Sequence, residues 1–141
     1  MTQLPRTILA RVWPGGVPRS YPAGVDDDDD PVVSNPAHYS VLWENDRVRV
    51  LQYRDEPGDR TTEHRHPDSV MVTLSAFSRR LESGGRSADV ELPAGQAVWI
   101  PAQTHAGSNT GDTPTRTIIV ELKGDAGERD HDGTLGPTVP G

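Results

Sequence analysis

The chain has no cysteine among its 141 residues. That excludes a disulfide framework and thiolate chemistry, whether as nucleophile or as metal ligand. Apolar residues are also scarce, at 33% of the sequence, which suits one compact core that the two ends do not join. No apolar run approaches the roughly 20 residues of a membrane-spanning helix. The apolar run Thr7-Ile8-Leu9-Ala10 is too short for a secretory signal, so a cytoplasmic protein with no membrane partner is expected. No basic stripe exists, which argues against nucleic acid as a partner. The net charge of −7 owes five charges to the aspartates at 26–30, and the remainder is near balance. Five consecutive carboxylates lack the alternating spacing and turn glycine of a calcium-wrapping loop, so the run reads as solvated loop.

What the sequence has is punctuation. Fourteen glycines and thirteen prolines, with no sustained helical period, suit many short strands joined by turns. Prolines at 5, 14, 18, 22, 31 and 36, with Gly15-Gly16 between them, mark 1–37 as a largely irregular arm. Its apolar cluster of Leu4, Ile8, Leu9, Val12 and Trp13 could dock on the domain or on a partner subunit. Strands are expected at 39–43, 47–54, around His64 and His66, at 70–74, 77–82, 88–92, 97–100, 105–109 and 115–122. Beyond Lys123 the sequence turns polar and glycine-rich, giving a flexible tail over 124–141. The domain proper is therefore 38–123, an antiparallel sandwich or small barrel.

The informative stretch is Gly58-Asp59-Arg60-Thr61-Thr62-Glu63-His64-Arg65-His66-Pro67. On a strand, residues i and i+2 point to one face, roughly 6.6–7 Å apart, so His64 and His66 can converge on one ion. The β-branched Thr61 and Thr62, and the helix-stopping Pro67, favour the extended chain this requires. His105, on a later strand, supplies a third nitrogen. Three protein ligands with open positions are the pattern of a catalytic rather than a closed structural site. His38 and His131 stand alone and read as ordinary structural or exposed residues.

At this point the chain resembles the cupins. Their first motif, Gly-x5-His-x-His-x3–4-Glu-x6-Gly, is matched by Gly58, His64 and His66. Their second, Gly-x5-Pro-x-Gly-x2-His-x3-Asn, is matched by Gly95, Pro101, His105 and Asn109, with Pro101 to His105 one residue short. The runs at 44–51, 64–70 and 99–106 are similar to a narrower group, the small single-domain cupins labelled β-alanine degradation proteins. The resemblance implies an all-β double-stranded β-helix, a jelly-roll barrel. It also implies a homodimer and a divalent transition metal: iron, manganese, nickel, copper or zinc. The motif's glutamate ligand would fall at Val70 or Met71, and its closing glycine is absent around Phe77 and Ser78. Val70 shares the parity of His64 and His66, so an apolar residue is expected to point inward in the carboxylate's place. What remains is a three-histidine site, which favours nitrogen-liking metals.

Two further residues are catalytic candidates. Gln103 stands where the second motif has glycine. In an extended chain it shares a face with His105, where it would ligate the metal or donate to a substrate oxyanion; otherwise it is an ordinary loop residue. Glu121 sits in an apolar strand, so it either faces water or is a buried general base with a raised pKa. Arg47, Arg49, Arg60 and Arg65 are solvated strand-face charges or anchors for a substrate carboxylate, and Tyr53 and Trp99 are expected in the core. The leading expectation is a metal-dependent enzyme acting on a small, anionic molecule, a dioxygenase if the metal is iron. The alternatives are a non-catalytic binding cupin and a metal-free lyase or isomerase using histidine acid/base chemistry.

Overall fold

The computed structural model describes residues 27–124 and 133–138. The apolar cluster of the arm, Asp26 and His131 lie outside those residues. Alternation builds the strands. In β2 (Val48–Asp55), Arg49, Leu51, Tyr53 and Asp55 are buried and the residues between them face outward. In β9 (Thr115–Leu122), Thr115, Thr117, Ile119 and Glu121 are buried by the same rule.

Among the described residues, nine strands form two antiparallel sheets packed face to face. One runs in the order β1 (Tyr39–Glu44), β2, β9, β4 (Ser69–Thr73) and β7 (Ala97–Ile100). The other is β3 (His64–His66), β8 (Gln103–Asn109), β5 (Phe77–Ser83) and β6 (Arg86–Leu92). Leu51, Tyr53, Met71, Phe77, Val98 and Ile119 belong to the core between them. This is an all-β jelly-roll barrel. The β5–β6 hairpin shows how turn chemistry sets register. Ser83 pairs with Arg86, leaving Gly84-Gly85 as a two-residue turn with φ of 55° and 80°, which glycine adopts at no steric cost.

The structure departs from the sequence reading in four places. First, parity is lost between His66 and Ser69. The chain leaves one sheet at His66 and enters the other at Ser69, through the buried Pro67 and Asp68. Met71, not Val70, is therefore the inward residue. Second, the end of the arm belongs to the barrel. Asp30 caps the short helix α1 (Pro31–Ser34), accepting from the Val32 amide at 3.0 Å, and is only 1% exposed. The acidic run is thus not solvated throughout, because Arg49 reaches Asp30 from β2. Third, residues 133–138 return to the domain. Thr138 bridges to Trp99 of β7, covering part of what would be an open sheet edge. Fourth, Trp99 points outward and is 36% exposed, so it is not a core residue.

Candidate metal centre

Sheet register assembles the histidines. β3 lies antiparallel to β8, with His64 opposite His105 and His66 opposite Gln103. Period-2 alternation on both strands turns all four side chains to the barrel interior. The imidazole centroids stand 4.9, 5.0 and 5.3 Å apart. One potential ligand atom from each ring lies within 4.8 Å of the other two, and all three residues are buried. Among the described residues this is the one such cluster of histidine, aspartate or glutamate.

Each ring is held at Nδ1 by an acceptor that has no hydrogen to give. His64 donates to the Thr62 carbonyl at 2.7 Å, His66 to Glu121 Oε2 at 2.8 Å and His105 to Gln103 Oε1 at 2.7 Å. Nδ1 must then carry the proton, and in the neutral imidazole Nε2 presents its lone pair. Burial, then the neighbouring His66, pulls His64 down to about 3. Burial, then His66 and His64, drives His105 well below the ordinary histidine value. Near the lone pairs stands one hydroxyl, Tyr39 Oη, 3.1 Å from His64 Nε2 and 3.3 Å from His66 Nε2. Burial holds that phenol protonated well above its ordinary range. One O–H cannot satisfy three converging lone pairs. A divalent transition metal can, and the donor set fits one: three imidazole nitrogens with a phenol oxygen alongside.

The supports of the three rings come from separate parts of the chain. Asn35 grips Thr62 from both sides, its Oδ1 accepting from the Thr62 amide at 2.8 Å and its Nδ2 donating to the Thr62 carbonyl at 3.2 Å. That carbonyl is the one that turns His64. Behind His66, Glu121 Oε1 accepts from Arg49 Nε at 2.8 Å, and Arg49 in turn donates to both Asp30 oxygens at 3.0 and 3.1 Å. Behind His105, Gln103 Oε1 also accepts from the Gly136 amide at 2.8 Å, while its Nε2 donates to the Pro101 and Gly136 carbonyls at 2.8 and 3.3 Å.

These contacts correct both catalytic candidates. Gln103 does point inward, but both lone pairs of Oε1 and both Nε2 hydrogens are taken. It orients His105 instead of ligating a metal or meeting an oxyanion. Glu121 is 1% exposed, so it does not face water. Burial alone would push its carboxyl up, but the hydrogen bond from His66 and the charge of Arg49 outweigh it and hold it below the ordinary glutamate value. A general base with a raised pKa is therefore not what stands there; it is a fixed anion that orients His66. Of the four arginines named as anchors, Arg49 is spent on this ion-pair chain, Arg47 and Arg60 are exposed and Arg65 lies on the outer side of β3.

Sequence reasoning missed Tyr39, Asn35, Thr62 and Arg79. Arg79 did carry a signal: it has the parity of Phe77 and Leu81 on β5, so a charged side chain was placed at an inward position. It lines the same cavity as the histidines and lies with its guanidinium carbon 4.8 Å above the Tyr53 ring. Its Nη1 donates to Asp55 Oδ2, which also accepts from Tyr53 Oη at 2.6 Å. Asp55 Oδ1 accepts from Asn109 Nδ2 at 3.0 Å and the Thr115 amide at 3.2 Å. Burial would raise the Asp55 carboxyl, but its hydrogen bond from Tyr53 and the charge of Arg79 hold it below the ordinary aspartate value. A carboxyl whose folded pKa is depressed stabilises the fold above its unfolded pKa, and that stability is lost as pH falls through the folded value. The urea midpoint should therefore drop between about pH 5 and pH 3. Asp55→Asn should start lower at neutral pH and lose less over that interval.

The comparisons with known proteins agree with this architecture. A cupin domain from Bordetella pertussis Tohama I is 31% identical, with a TM-score of 0.57 over 61% of this chain and 92% of that one. A conserved protein with a double-stranded β-helix domain from Klebsiella pneumoniae subsp. pneumoniae MGH 78578 is 24% identical, with a TM-score of 0.50 over 63% and 78%. No protein-family model matches the chain, and no curated protein matches it. Barrel, histidine cluster and likeness together define the class: the chain belongs to the cupins. Among the described residues no helix is long and apolar enough to cross a membrane.

Proposed function

We propose that this cupin holds one divalent transition-metal ion through Nε2 of His64, His66 and His105 and acts on a small organic acid in the barrel. The observation that supports it most is the uniform treatment of the three rings. Each Nδ1 is engaged by an acceptor, which leaves Nε2 as the ligand atom of each ring in a cluster whose ligand atoms lie within 4.8 Å of one another. A set of neutral nitrogens with no carboxylate suits iron, nickel, copper or zinc better than magnesium or calcium. Once bound, the ion would supply Lewis acidity or, as ferrous iron, the dioxygen chemistry of a dioxygenase.

The remaining work falls to the protein. Thr62, Glu121 and Gln103 fix the rings, so ligand geometry is set before anything binds. Tyr39 Oη, beside two of the ligand atoms, is positioned to donate a hydrogen bond to an oxygen bound there. Met71, Phe77 and Ile119 line the cavity and give it an apolar wall. The narrower likeness to the cupins labelled β-alanine degradation proteins belongs to this proposal and rests on three sequence runs. The metal-free alternative is disfavoured because a histidine held at about 3 is a weak base at neutral pH. Elemental analysis of untagged protein tests the proposal. Near-stoichiometric iron, nickel, copper or zinc supports it; absence of metal, with none taken up on titration, rejects it.

A further inference from the structure

The cavity that the histidines line extends to Arg79, and its volume is about 60 Å³. Arg79 is 9% exposed, yet Asp55 takes only one of its five N–H donors. Asp55 cannot take a second, since Tyr53, Asn109 and the Thr115 amide fill the rest of its acceptor positions. Nε and Nη2 of this largely buried guanidinium meet no acceptor among the described residues, which leaves them open to a partner in the cavity. Two further observations locate that partner. Gly107 on β8 leaves room for the guanidinium: a Cβ there would stand 2.5 Å from Arg79 Nη2. Thr117, opposite Tyr53 across the β2–β9 ladder, lines the same cavity, and its buried Oγ1 has no hydrogen-bond partner.

We infer that Arg79, with Thr117 in the same cavity, is the carboxylate-binding end of the substrate site, and that the ligand is a short monocarboxylate of two to four carbons. The guanidinium edge left open by Asp55 matches a carboxylate bidentately. Size sets the chain length: at the 10–15 Å³ one water needs, 60 Å³ gives about four to six atom-sized positions. A carboxylate at Arg79 directs the other end of so short a molecule towards His64, His66 and His105. Only that last step rests on the proposed metal site; the anion site stands without it.

The test follows the Arg79 side-chain Nε–H signal by ¹H–¹⁵N NMR while propionate or uncharged propionamide is added to metal-free and zinc-treated protein. Propionate is expected to shift the signal to saturation and propionamide to leave it in place. Arg79→Met, read by calorimetry, should weaken propionate binding at least tenfold. Gly107→Ala, which keeps Arg79 but displaces its guanidinium, should do the same and covers the case in which Arg79→Met does not fold. Equal binding of acid and amide, native affinity in both variants, or no binding of any two- to four-carbon acid overturns the anion site. Zinc uptake is measured on the same samples. Zinc bound without carboxylate binding removes the anion site alone, and carboxylate binding without zinc uptake removes the metal reading alone.

Discussion

Replacing His64 and His66 together with alanine should abolish uptake of divalent metal while leaving the barrel folded. The two rings contribute two of the three converging Nε2 atoms, and a single remaining imidazole cannot hold an ion against water and buffer. Folding should survive because the apolar core keeps its own side chains, with Leu51 fully buried and Tyr53, Val98 and Ile119 nearly so. The variant relieves some frustration as well as losing contacts, since it removes lone pairs that one Tyr39 hydroxyl cannot satisfy. The readings are metal content after dialysis and the circular dichroism spectrum. Retained stoichiometric metal in a folded double variant would place the ion somewhere other than this cluster.

Glu121→Ala should be the most damaging single substitution behind the histidines. It breaks a buried ion-pair chain in which Asp30, Arg49 and Glu121 are each at most 4% exposed. Removing one partner of such a pair costs about 3–5 kcal/mol, because the remaining charge stays buried with less to neutralise it. It also takes the acceptor from His66 Nδ1, freeing that ring to rotate or change tautomer. Loss of a supporting contact of this kind lowers metal affinity by about 10–100-fold. Glu121→Gln keeps the volume and one acceptor oxygen, so it should fold more stably than the alanine variant and still bind metal more weakly than the native protein. Urea unfolding and competitive zinc titration give the two quantities. Native zinc affinity in Glu121→Gln would show that the carboxylate does not control the ring.

The strands and the ligand set were legible in the sequence because both rest on period-2 alternation. Arg49, Leu51 and Tyr53 announce β2, and His64 with His66 share a face for the same reason. Alternation holds only while the strand does. The parity argument for Val70 failed at Pro67-Asp68, where the chain passes from one sheet to the other. The supporting residues were hidden for a different reason. Asn35 braces Thr62 across 27 positions, Asp30 meets Arg49 across 19 and Gly136 meets Gln103 across 33. Contacts between such distant, individually unremarkable polar residues leave no local pattern. Composition assigned both ends to solvent, while a few buried hydrogen bonds hold parts of them on the barrel. Glu121 was recognisable as costly in an apolar strand, but its partner could be found only once β2 lay beside β9, with Arg49 opposite Glu121.

The central claim is that three imidazoles, each with a proton on Nδ1, offer Nε2 to one metal position. Long-range ¹H–¹⁵N NMR of the histidine side chains at about pH 8, before and after one equivalent of zinc, reads this directly. The account predicts the Nδ1–H tautomer for His64, His66 and His105, and movement of all three Nε2 resonances on zinc addition while His38 stays in place. An Nε2–H tautomer at any of the three, or Nε2 signals that zinc leaves unmoved, would contradict it.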